Sequence, residues 1–399
     1  MKEYLLMHKD DIVGGIIFNA RWQISDFKPL SKEHIPMCVV TGNRVSLDKL
    51  NRWFLSRNIS PERAGCEALR ENTGVKYIEE IIVKNGAFSL FDSFWVKEKR
   101  SVLSWKQNNF YENGYRNEIS ASFSQNDFSK KITDCSSPTL TIPGDKNYVW
   151  QKNKAQGDLL FCFEKKEYVL TEFFLCHMAA PLFQLPAPKI AISKKDAQYC
   201  AINIFTSPNV TYIPASYILN SGERKEEKNQ YDYFMQRCKE LGIPNYRIFM
   251  DTLMVFDYVF HICDRNYTDF GFLMDADTKK FLGPAPVCFH GNGLYSGVEL
   301  YKNKRGMDSL VFDDIARRIS LISDPNYLRI DYEKLMDLPK KIRELFIYDE
   351  KLADFKSSIL EKRIISLTDK FAKIIEGKAD KYKEINEQYK QNKYSGDTL

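Results

Sequence analysis

The side chains with chemistry to offer gather in residues 256–293, FDYVFHICDRNYTDFGFLMDADTKKFLGPAPVCFHGNG. An apolar run with helical spacing leads into Asp264-Arg265. Two short extended runs follow at 270–273 and 281–282, then Pro284-Ala285-Pro286 and a turn containing Gly291 and Gly293. A carboxylate beyond a helix, a strand pair and a glycine turn is how phosphoryl-transfer sites hold a base, metal ligands and a mobile loop. In that layout Asp264 is the base, with Arg265 beside it. A magnesium-binding carboxylate is expected where the glycine turn begins, but position 290 is histidine. Magnesium prefers hard oxygen donors in octahedral geometry, so His290 is a poor ligand for it. The plainer reading makes His290 a turn residue that caps backbone groups, Asp257 an anchor for the preceding helix, and the two glycines a matter of turn geometry.

Positioning such a loop takes strands and helices upstream. Residues 1–100 read as a mixed α/β unit. A hairpin forms around Lys9-Asp10-Asp11, and Ser46 caps a helix over 47–55 with Leu50, Trp53 and Phe54 on one face. Ser60-Pro61-Glu62 reads as the start of another helix. Residues 101–147 are rich in Asn, Ser and Gly and read as loops and short turns. Residues 148–219 show strands near Trp150, at 159–163, at 167–169, at 189–192 and at 201–205, with an apolar helix over 171–182 that contains Glu172. Residues 220–399 are mainly helical. Ile359, Leu360, Ile364, Leu367, Phe371, Ile374 and Ile375 are at helical spacing, and a Lys/Glu-rich helix frays into a polar tail from about residue 378.

Composition excludes several classes. With 399 residues, 44% of them hydrophobic, the chain can bury a large core. No run of about twenty apolar residues exists, so no membrane span is expected. The net charge of +5 is small for this length, which makes nucleic acid an unlikely partner. The nine cysteines are scattered and read as reduced thiols of a cytoplasmic protein. The five histidines show no HxxxH spacing, which argues against a stand-alone zinc hydrolase.

Four further segments, taken with the loop, carry a family resemblance. Residues 50–63, LNRWFLSRNISPER, are similar to a pattern LNxWWxxRxIPxxR; 89–95, SLFDSFW, to SLSDxYW; and 105–113, WKQNNFYEN, to WxxxNFFxN. Ser137-Pro138-Thr139-Leu140-Thr141 with Gly144 resembles a phosphate-loop segment. Residues 256–271 resemble a catalytic loop FDYxxxNxDRHxxNFG. Together they resemble the HipA-like serine/threonine kinases, in the single-chain, CtkA-like branch. The resemblance covers most of the chain. It implies an α+β, bilobal protein-kinase-like fold: an N-terminal α/β subdomain (1–100), connecting loops (101–147), an N-lobe (148–219) and a helical C-lobe (220–399). It also implies ATP with magnesium or manganese, a protein substrate, and an antitoxin or other regulator as partner.

Carried over residue by residue, the resemblance gives a degenerate site. Asp257, Asp264, Arg265, Phe270 and Gly271 match; Ile262, Asn266 and Asp269 replace the family's Asn, His and Asn. The strand lysine that would hold the nucleotide phosphates falls on Cys162, and its glutamate partner on Glu172. The connection between the lobes falls near 200–205. The metal aspartate falls on His290, beside Gly291. Cys162 supplies no cation, which leaves Glu172 without its partner unless Lys165 or Lys166 reaches back. Asp269 keeps an oxygen donor and adds a charge, so the metal carboxylate has moved. Three readings follow. One is a pseudokinase or very weak kinase that acts by binding a nucleotide or a partner. Another is an active divergent kinase in which Asp269, with Asp275 or Asp277, holds metal. The last is a kinase fold running another nucleotide reaction. A non-enzymatic interaction module is the rival class.

Overall fold

The first strands show why the chain opens as a sheet. Glu3–His8 and Asp11–Phe18 turn apolar side chains inward and pair antiparallel. Ile24–Pro29 and Phe94–Glu98 flank them, giving the order 24–29, 11–18, 3–8, 94–98. The computed structural model describes residues 3–31, 33–41, 44–142, 147–153, 157–193, 197–222, 229–288, 290, 293–295, 311–312, 314–322 and 324–394, with the side chains of 41, 295 and 377–394 excepted. Helix Leu47–Ser56 starts where the sequence places it. The Ser46 side chain accepts from the Lys49 amide, and Leu50, Trp53 and Phe54 are buried.

The next helix differs from expectation. Residues 60–63 form a tight turn in which Ser60 Oγ accepts from the Glu62 amide at 3.2 Å. The helix is Cys66–Thr73, after Gly65 in the left-handed region at φ 85°. The cause is Arg63, whose guanidinium turns inward to the Tyr148 carbonyl at 2.6 Å and lies over the Phe123 ring at 4.2 Å. Residues 101–142 are also more ordered than their polar composition implies. They contain helices Trp105–Asn108 and Glu118–Gln125 and the 3-10 turn Pro138–Thr141. Ile119 and Phe123 go to the core, and Ser120 Oγ donates to the Trp150 carbonyl at 2.7 Å. Buried serines that bond the backbone look, in sequence, like loop residues.

The second sheet has the order Tyr148–Asn153, Gly157–Cys162, Cys200–Asn203, Ile190–Ile192, antiparallel throughout. Residues 167–169, expected as a strand, belong to helix Lys166–Phe173, which buries Val169, Leu170, Thr171 and Glu172 on one side. The helix runs on as a π-helical stretch Phe174–Ala179 and a 3-10 turn Ala180–Phe183. A third sheet joins Val210–Pro214, Gly271–Asp275 and Phe281–Pro284. Gly271 is required there, since a Cβ would lie 2.2 Å from the Ile213 carbonyl oxygen. Helices Gln230–Glu240, Tyr246–Val259 and Glu350–Tyr394 complete the C-terminal half, and one apolar core runs from the second sheet through them. No described helix is long and apolar enough to cross a membrane.

Candidate active site

Helix Tyr246–Val259 points Asp257 into the core, and the chain leaves the helix through His261 at φ 50°. The loop that follows returns Arg265 to Asp257. Nε and a terminal nitrogen of the guanidinium hold the two carboxylate oxygens at 2.6 and 2.7 Å, with both side chains fully buried. Burial pushes the Asp257 carboxyl up to about 6, while Arg265 beside it pulls the other way. That guanidinium nitrogen also donates to His290 Nδ1 at 2.9 Å. The His290 backbone N–H donates to Glu172 Oε2 at 2.7 Å, and the Cys176 thiol donates to Oε1 at 3.3 Å. Burial and then the Glu172 charge push the Cys176 thiol well up, so it stays protonated. Asp257, Arg265, His290, Glu172 and Cys176 thus form one buried polar chain.

Asp264 and Asp269 are near enough for their charges to act on Arg265, and both reach a cavity. With Asn266 and Thr268 they line this cavity of about 1140 Å³, which is also lined by Lys49, Arg52, Ser56 and Tyr217. Asp269 is fixed within its own turn, accepting from the Asn266 amide at 3.0 Å and from Thr268 Oγ1 at 3.3 Å. Cys162 is fully buried on its strand, opposite Cys200. A thiol–thiol hydrogen bond from this pair, followed by burial, pushes Cys200 well up. Of the two lysines that could have replaced the missing partner of Glu172, Lys166 lies over the Tyr348 ring at 3.9 Å and Lys165 is exposed. Asp275 accepts from the Thr278 amide and hydroxyl inside its turn, and Asp277 pairs with Lys9 at 2.6 Å. Neither lines the cavity. Gly144 and Gly291 fall outside the described residues.

The donor set decides what His290 can hold. Arginine is a donor only, so His290 Nδ1 uses its lone pair on Arg265, and a neutral ring then carries its proton on Nε2. No ring lone pair is left for a cation. Magnesium therefore does not fit at His290. The buried trio Glu172, Cys176 and His290, whose donor atoms lie within 4.8 Å of one another, does not fit a transition metal for the same reason. Cys162 likewise does not fit the part of a phosphate-binding cation.

Sequence reasoning missed Cys176 and Lys356. Cys176 stands four residues past Glu172, a helical neighbour spacing that signals contact once Glu172 matters. Lys356 left no such signal, being one of many lysines on its helix. It is fully buried, with Nζ 3.2 Å from the Leu294 carbonyl and 3.5 Å from Thr171 Oγ1. Burial pushes its ammonium down to about 7.

No protein-family model matches the chain, and no curated protein matches it. Solved structures do. HipA of the Shewanella oneidensis MR-1 toxin–antitoxin system, solved with HipB and operator DNA, overlaps with a TM-score of 0.58 at 14% identity, over 90% of this chain and 96% of that one. The fold is HipA-like. The Helicobacter pylori proinflammatory kinase CtkA overlaps with a TM-score of 0.45 at 15% identity, over 58% of this chain and 94% of that one. At these identities the likeness concerns the fold alone. The overlap with HipA bears out the α+β, HipA-type architecture expected from the sequence, and it gives the frame in which Cys162, Glu172, Asp264 and His290 are placed.

Proposed function

We propose that this HipA-like chain is a pseudokinase, or a very weak kinase, that acts by binding a nucleotide or a protein partner in the cavity beside Asp264. One observation carries the reading. The groups at the positions of the metal aspartate and the helix glutamate, His290 and Glu172, are joined to each other and to Arg265 inside the core. A kinase site works by presenting cations and metal ligands to phosphate oxygens. Here those positions are turned to internal bonding, and Cys162 is a buried strand residue that offers no cation. The neighbouring HipA was solved with HipB and DNA, which supports a regulator protein as the kind of partner to test first.

A second reading is favoured by Asp264 and Asp269 facing the same cavity. In an active divergent kinase these carboxylates would serve as base and metal ligand, without His290. Two measurements separate the readings. The first is thermal stability with ATP and either Mg²⁺ or Mn²⁺. A ligand at a hundredfold over its Kd adds ~2.7 kcal/mol, which reads as a shift of a few degrees. A shift without phosphate incorporation, followed by intact mass, is the expected result. Incorporation that disappears in Asp264→Asn would overturn the proposal in favour of the active kinase. No shift with either metal removes the nucleotide and leaves partner binding.

A further inference from the structure

The histidines show no metal-binding spacing along the chain, yet the fold brings two of them together outside the lining of the cavity. His8 ends the first strand, and Asp11 opens the second across the hairpin, paired with it in register. His34 stacks on His8 with ring centroids 4.7 Å apart and an interplanar angle of 9°. Its Nε2 is 3.5 Å from Asp11 Oδ2. One donor atom from each of His8, Asp11 and His34 falls within 4.8 Å of the others. His8 is 1% exposed, and the Nδ1 atoms of both histidines are buried without a hydrogen-bond partner.

We propose that His8, Asp11 and His34 form a site for a divalent transition metal of the zinc class. Two imidazoles and one carboxylate are the ligand set that zinc, cobalt and nickel accept, and that magnesium and calcium do not favour. The access route is open, because the Asp11 side chain is 69% exposed while His8 lies beneath it. A fourth position on that side falls to water. Stacked rings keep their lone pairs in parallel planes, so binding turns the His34 ring, the more exposed of the two, further toward Asp11. The donor atoms, already within 4.8 Å of one another, then settle at the roughly 3–4 Å set by ligand distances of about 2.0–2.2 Å.

Lys279 is the competitor, with its ammonium 2.9 Å from His8 Nε2. It differs from Arg265 at His290. Lys279 is a single point donor on a flexible stem, also bonded to the Ala276 carbonyl at 2.6 Å, and it can swing off His8. Arg265 is fixed by two bonds to Asp257 in the core and cannot leave His290. Since Lys279 lies in the turn between the two strands that follow the catalytic loop, metal at His8 would reach that turn through one side chain.

The test uses the full chain, stripped with a chelator and titrated with Zn²⁺ by calorimetry and with Co²⁺ by visible absorption. The wild type should take up one equivalent. Asp11→Asn should weaken binding at least about tenfold, and His34→Gln should abolish it, with the metal-free melting temperatures of both close to wild type. Asp11 is exposed and His34 is half-buried, so these variants disturb the fold less than His8→Ala would, and the metal-free melting temperatures check that. Absence of saturable binding in the wild type would overturn the proposal. So would binding that survives unchanged in both variants, since the metal would then sit elsewhere.

Discussion

Arg265 holds three things at once: both oxygens of Asp257 and the acceptor nitrogen of His290. A planar guanidinium can do this because its donors diverge in one fork, whereas an ammonium cannot reach all three. Arg265→Lys should therefore cost ~3–5 kcal/mol, the loss associated with breaking a buried pair, and should lower the urea midpoint with little change in slope. A midpoint within error of wild type would show that the fork is not needed. The same residue explains what could be read in the sequence here. Asp264-Arg265 and Glu172 are legible because they match a pattern of residue types. The role of His290 is not, because a lost metal ligand and an acceptor for a buried guanidinium are the same letter.

Secondary elements were legible where periodicity or a cap defines them. The 47–56 helix with its Ser46 cap and the first hairpin are examples. They were illegible where polar side chains go inward. Ser120, fully buried and bonded to Trp150, sits on a helix inside a segment that looks like loop. Arg63, bonded to Tyr148, converts an apparent helix start into a turn. Gly271 shows the reverse case, a glycine whose reason is visible only in the sheet. Its strand approaches Val210–Pro214 so closely that a Cβ would meet backbone oxygen. Backbone cannot move aside as a side chain can. Gly271→Ala should lower stability by ~2 kcal/mol or more. A melting temperature equal to wild type would refute the close approach.

At the scale of the whole molecule, Lys356 ties the C-terminal helix to both halves of the candidate site, through Thr171 beside Glu172 and through the Leu294 carbonyl. Its ammonium is depressed to about 7 from an ordinary value of 10.5, so the folded chain binds this proton less well than the unfolded chain. The sign follows from that. Between about pH 7 and 10.5 the unfolded state holds more protons at this position, and stability rises with pH over that window. Lys356→Met should be more stable than wild type at pH 6, by up to ~5 kcal/mol less whatever its two hydrogen bonds contribute. The gain should shrink as pH rises from 7 toward 10. Denaturation midpoints across that range check it, and a gain that grows with pH would reverse the assignment. The Asp257–Arg265 pair has one more consequence. Mobile ions screen charges that water can reach, over about 8–10 Å at physiological ionic strength. This pair has no accessible surface, while pairs such as Arg52–Asp48 are mostly exposed. Added electrolyte will erode the outer electrostatics of the molecule and leave buried pairs such as this one and Arg57–Asp92 largely untouched, so at high ionic strength the buried pairs are the charge interactions that still distinguish one variant from another.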